Sequence, residues 1–224
     1  SSGASNTAFV HPLTATATPR RADRKALRRG SGGVFDDMII GPTMRELINR
    51  GYLCEYVIYG PKSDLDLSKV ELGADGDFKQ GQLVEATHRS TITGDIVRDY
   101  LKWAPGKLGV TFAVDIGMGE DHTAAFNGAG IPAALITANT PTHIRVELVR
   151  SFRRGDLKQL VNVDIFGEGF DLPAIEVVSM GRATASYSLF VQQFGRALRP
   201  MQGKRVGIII DHVGNILDRH GLPD

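Results

Sequence analysis

Between residues 110 and 211 the chain alternates short, branched apolar runs with longer segments whose apolar residues recur every three or four positions. Few folds accept that pattern. The runs at 110–114, 133–136, 160–166, 175–180 and 206–211 read as strands. Segments 120–127 and 141–152, and the stretch holding Tyr187, Leu189, Val191 and Phe194, read as helices. Such alternation demands right-handed crossovers and yields an α/β fold, a mostly parallel sheet with helices on both faces. Upstream, 44–50 reads as a short helix closed by Gly51, 52–59 as a strand, and 92–103 as a helix ended by Pro105-Gly106. Residues 61–82 are polar and glycine-spotted, and read as an irregular excursion. Their Asp64, Asp66, Asp75 and Asp77 do not match the spacing of a calcium loop.

Charge and composition narrow the function classes. Among 224 residues, 26 basic side chains meet 25 acidic ones. A uniformly basic nucleic-acid binder is thereby excluded, and any such contact must rest on local patches. One such patch is Arg20, Arg21, Arg24, Lys25, Arg28 and Arg29, which reads either as a solvated face or as a phosphate-backbone contact. Cys54 is the only cysteine, so there is no disulfide framework and no thiolate metal site. With no apolar run of membrane-spanning length, the expectation is a cytoplasmic protein with no membrane partner. The six histidines lack metal-ligand spacing. Asp211-His212 has no nucleophile elbow to accompany it, and no G-x-G-x-x-G follows a strand.

Two stretches carry candidate chemistry. On a helix, Gln192, Arg196 and Arg199 fall at i, i+4 and i+7, one polar face flanked by Gly195 and stopped by Pro200. Two guanidiniums a turn apart suit a polyphosphate, although a solvated amphipathic helix explains the spacing equally well. Upstream lies Gly167-Glu168-Gly169-Phe170-Asp171-Leu172-Pro173, a loop after a buried strand. In an open α/β sheet that is the edge where ligands collect. The GEGFDLP loop followed by QQFGRALRP is similar to motifs V and VI of superfamily 2 helicases. The run Thr16-Ala17-Thr18-Pro19-Arg20 looks like their motif III, and the three occur in the family's order. The nearest likeness is to restriction-enzyme and phage-type DEAD/DEAH helicases.

That resemblance implies a RecA-like, P-loop NTPase-type helicase C-terminal lobe at 91–224. It implies an interlobe connection and excursion at 34–90, and at 1–33 a remnant of the first lobe with motif III and the basic segment. It assigns Arg199 as arginine finger, Arg196 as companion and Gln192 as orienting group. Gly167, Glu168, Gly169 and Asp171 would line the nucleotide. Thr111, Thr137, Asn139, Thr140 and Arg145 would hold nucleic-acid phosphates, and Thr16 and Thr18 would couple the two sites. The implied cofactors are ATP and Mg2+. The implied partners are DNA (RNA as an alternative), the missing first lobe, and nuclease or other DNA-processing subunits. The competing class is a non-catalytic nucleic-acid-binding or scaffold module. No Gly-Lys-Ser/Thr phosphate loop is present: Leu108 follows Gly106-Lys107, and Arg205 follows Gly203-Lys204. Gly119-Glu120-Asp121-His122 resembles an acidic box but falls at an expected helix start, where acidic residues answer the helix dipole. Alone, the segment is expected not to hydrolyse ATP, and Mg2+ ligands are expected outside it.

Overall fold

The computed structural model describes residues 39, 41–163 and 175–223. In chain order the elements are α1 (Met44–Asn49), β1 (Glu55–Tyr59), α2 (Gln80–His88), α3 (Ile92–Trp103), β2 (Gly109–Phe112), α4 (Ile116–Gly128), β3 (Ala133–Ile136), α5 (Thr142–Arg154), β4 (Gln159–Asn162), β5 (Val177–Met180), α6 (Tyr187–Arg196) and β6 (Val206–Asp211). A six-residue π-helix, Asn215–His220, follows.

The strands form one six-stranded sheet ordered β1-β6-β5-β2-β4-β3, with every pairing parallel. β2, β4 and β5 are buried at every position, as strands covered on both faces must be. The chain steps from β2 to β3 in one direction and back to β4 in the other. Right-handed crossovers therefore put α4 and α5 on opposite faces of the sheet. By the same rule α3 lies beside α4, which it packs against, and α6 shares the face of α5.

Two glycines set how closely the layers approach. At Gly119 of α4 an added Cβ would lie 2.7 Å from Leu135 Cδ1 and 3.0 Å from Val163 Cγ2, so the bare backbone lets the helix sit down on β3 and β4. At Gly207 of β6 an added Cβ would run into the Ala197 carbonyl at the end of α6.

Within 34–90, β1 pairs with β6 and Leu83 of α2 is fully buried in the common core. Three expectations are corrected. The excursion gives way to α2 at Gln80, a helix that its weakly apolar sequence conceals. Leu83 and Thr87 are its only buried residues, with Val84 packed beside them on the core. α4 begins at Ile116, where Asp115 accepts from the Met118 N–H at 2.8 Å. Glu120 and Asp121 are therefore interior and exposed on the helix, not at its start. Finally, α6 ends at Arg196, so Arg199 lies beyond the helix. A residue before proline avoids the helical region, and here that residue is Arg199.

Candidate functional site

The carboxyl ends of β3 and β4 and the start of α4 enclose a cleft of about 160 Å³, lined by Gln80, Asp115, Ile116, Thr137, Ala138, Asn139 and Val163. The loop from β3 to α5 forms one wall and is tightly specified. Thr137 N–H donates to Thr140 Oγ1 at 2.9 Å, and Asn139 N–H donates to Thr137 Oγ1 at 3.2 Å. Arg145, one turn into α5, donates from Nε to Thr140 O (2.7 Å) and from Nη2 to Ala138 O (2.6 Å) and Thr137 O (3.4 Å). Its guanidinium braces the loop's carbonyls. Thr140 back-bonds into the loop and does not cap α5, which starts at Thr142 with no side-chain cap. Asn139 is exposed and Thr137 buried. Thr111 is a correction: it is fully buried on β2 and its hydroxyl donates to Gln159 Oε1 at 3.3 Å. No phosphate can reach it there.

The second cluster is the end of α6. Ser186 caps the helix by accepting from Leu189 N–H at 3.4 Å, while Phe190, Gln193 and Phe194 anchor its inner face. Gln192 and Arg199 are exposed and Arg196 half-exposed, and Gln192 Nε2 donates to Ser188 Oγ at 3.5 Å. Lys204 fastens the segment from beneath, donating to Arg199 O at 2.9 Å, Ile175 O at 2.8 Å and Ala197 O. Burial lowers the Lys204 ammonium below its usual range, against the opposing pull of Cys54 and Glu176. Gly167, Glu168, Gly169 and Asp171 lie outside the described residues, as do Thr16, Thr18 and the basic run from Arg20 to Arg29.

The helicase conserved C-terminal domain matches residues 96–201, which include every cleft-lining residue but Gln80, and the arginine segment. The lobe is that of a superfamily 2 helicase. The chain is 37% identical over 217 residues to a 51.5 kDa protein of a Lactococcus phage (isolate 7-9), covering 97% of this chain and 46% of that protein. It is 32% identical over 202 residues to IRC3 of Saccharomyces cerevisiae, whose name assigns it as an ATP-dependent helicase, covering 89% of this chain and 29% of that one. The chain thus spans less than half the length of these relatives. In fold it is similar to a fragment described as an HsdR subunit of a type I restriction enzyme from Vibrio vulnificus. The TM-score is 0.70 at 22% identity, over 93% of this chain and 42% of that one.

Sequence reasoning misses the buried polar network that runs from the cleft to the start of α6. Asp77, which reads in sequence as part of an excursion, accepts from Arg182 Nη1 (3.1 Å), Thr184 Oγ1 (2.9 Å), Ala185 N–H (2.6 Å) and Phe78 N–H (2.9 Å). Arg182 Nη2 also donates to Gln80 Oε1 at 3.4 Å, and Gln80 Nε2 donates to Val114 O at 2.6 Å. The Asp77-Phe78 pair gives no local sign of its partner 105 residues away. Asp211 also holds structure together. Its carboxylate accepts from the Val213, Asn215 and Ile216 N–H groups and so caps the π-helix. Lys204 escapes a search for phosphate loops because no hydroxyl residue follows it. Its available signal is a lysine just past a helix end, where cations meet unpaired carbonyls.

Proposed function

We propose that this chain is the C-terminal motor lobe of an ATP-dependent DNA helicase or translocase, closing on ATP held against a first lobe. The observation that carries the reading is the arginine segment. Arg199 and Arg196 stand at the surface on a backbone that Lys204 holds at the Ala197 and Arg199 carbonyls and ties to Ile175 O beside β5. Guanidiniums pair with phosphate oxygens in a fixed fork and do not ligate metals, so this donor set fits a triphosphate. Among the described residues no group of three or more His, Cys, Asp or Glu could hold a metal. Ligands for Mg2+ are proposed to come from the first lobe.

When bound, ATP supplies the phosphoanhydride whose cleavage powers movement. Arg199 donates to the γ-phosphoryl oxygens and offsets their growing charge, Arg196 holds the adjacent phosphate, and Gln192 orients the attacking water. Gly167, Glu168, Gly169 and Asp171 are proposed to line the nucleotide, and Thr16 and Thr18 to couple it to the nucleic-acid track. Thr137, Asn139 and Thr140 are proposed to hold the nucleic-acid backbone from the braced loop, with Arg145 keeping that loop in shape. DNA is the favoured strand, with RNA the alternative, and nuclease or other DNA-processing subunits are proposed partners in the cytoplasm.

The test is ATP turnover by the two-lobed protein with and without single-stranded DNA. The proposal expects turnover that rises when DNA is added. An intact, folded protein with no DNA-responsive turnover would leave the non-catalytic binding or scaffold module as the better account.

A further inference from the structure

Nucleic acid on the β3–α5 loop and phosphate at the end of α6 must sense each other if the lobe is a motor. We infer that Gln80, Arg182 and Asp77 are the link, with Gln80 as the positioning residue that reports occupancy of the cleft to α6. The inference rests on the function proposed above.

Gln80 forms part of the cleft wall facing Thr137 and Asn139, and its amide works in two directions. Nε2 donates to Val114 O, at the end of β2, at 2.6 Å, while Oε1 accepts from Arg182 at 3.4 Å. Arg182 passes to Asp77 at 3.1 Å, and Asp77 accepts from Ala185 N–H at 2.6 Å and from Thr184 Oγ1 at 2.9 Å. Thr184 Oγ1 in turn accepts from the N–H of Ser186, the N-cap of α6, at 3.0 Å. Every member after Gln80 is shut from water: Asp77 is 8% exposed, Arg182 7% and Thr184 0%. Buried polar groups must stay paired with one another, so a change at one end displaces the next partner.

The link also has somewhere to move. Arg182 Nε finds no acceptor among the described residues, and the Gln80 contact is near the long limit of a hydrogen bond. A phosphate oxygen entering the cleft offers Nε2 an acceptor other than Val114 O. The same rotation shifts Oε1 from Arg182, leaving Asp77 to set the guanidinium, and with it the first turn of α6. One chain of contacts thus runs from the cleft to the N-cap of α6, the helix whose far end carries the arginine segment.

The experiment measures ATP turnover of the two-lobed protein with and without oligothymidylate, in wild type, Gln80→Leu, Thr184→Val and the double variant. Gln80 is exposed and its replacement leaves the core untouched. Gln80→Leu is expected to cut the stimulated-to-unstimulated ratio by about tenfold, a typical size for coupling between sites. KM for ATP should stay within about twofold of wild type, and Kd for the oligonucleotide should weaken by much less than the ratio, since one phosphate contact of several is lost. The double variant is expected to add little to Gln80→Leu, because both changes cut one chain. A wild-type ratio in Gln80→Leu overturns the inference, as do additive effects or a Kd that weakens in step with the ratio. A wild type that oligothymidylate does not stimulate overturns the proposed function itself, and the link with it.

Discussion

At Asp77, burial and pairing pull in opposite directions. Desolvation raises its carboxyl, yet the Arg182 guanidinium and the Ala185 and Phe78 N–H groups outweigh it, and the net shift is downward. Removing the charge strands Arg182 in the interior. Asp77→Asn is expected to cost about 3–5 kcal/mol, the scale of breaking a buried pair from one side. Urea unfolding measures this, and a loss below about 1 kcal/mol would show that the pair is dispensable. His122 and His212 pose the reverse problem. They are 0% and 2% exposed, none of their ring nitrogens has a hydrogen-bond partner among the described residues, and the nearest carboxylate, Asp99 Oδ2, stands 3.6 Å from His212 Nδ1. Burial lowers each from 6.5 to about 4. At His122 the charge of His212 adds to that lowering and Asp115 opposes it, while at His212 Asp95 opposes the shift and Arg98 adds to it. The folded state therefore keeps both neutral where the unfolded chain would already be protonated. Stability is complete above about pH 6.5 and falls as pH drops toward 4, by up to about 1.4 kcal/mol per pH unit for each histidine. Asp211, whose carboxyl burial raises, takes up its proton more readily in the folded state and works against this slope. Urea midpoints between pH 7 and 4.5 should decline, and a flat profile would contradict the burial of neutral histidines.

The end of α6 is where sequence, packing and proposed chemistry meet most closely. An alanine at Gly207 would push its Cβ into the Ala197 carbonyl, a backbone group with no freedom to turn aside. Gly207→Ala is expected to destabilise the lobe by about 1–3 kcal/mol, as overpacking does, and to weaken turnover of the two-lobed protein by displacing the arginine segment. Thermal unfolding and turnover together check this, and wild-type values in both would refute the close approach. Legibility also divides at this scale. The sheet strands announce themselves as short branched apolar runs and α3, α5 and α6 by apolar residues at helical spacing, patterns that a local window of sequence contains, although Phe152 is the buried residue of α5. α2 does not, since only Leu83 and Thr87 of it are buried and its anchors, Arg182 through Asp77 and Val114 through Gln80, lie far along the chain. The spacing of Gln192, Arg196 and Arg199 is visible, but the exit from helix geometry before Pro200 changes what that spacing means. Thr111 and Thr137 look alike in sequence. Only strand order shows that one is sealed beneath β4 and β5 while the other stands at the sheet's open edge.

Across the whole lobe, one all-parallel sheet carries a loop-lined cleft at its carboxyl edge and an arginine segment at the end of α6, and a buried ion pair lies between the cleft and the start of that helix. No helix among the described residues is long and apolar enough to cross a membrane. The relatives extend well beyond the length matched here. The central claim is that Arg199 completes an ATP site shared between lobes. Its most direct test is the rate of ATP hydrolysis by the two-lobed protein in the presence of single-stranded DNA, wild type against Arg199→Ala. The account predicts a fall of about 10³-fold or more with the fold intact, the usual worth of an arginine finger. A variant that hydrolyses ATP within a few-fold of the wild-type rate would contradict it.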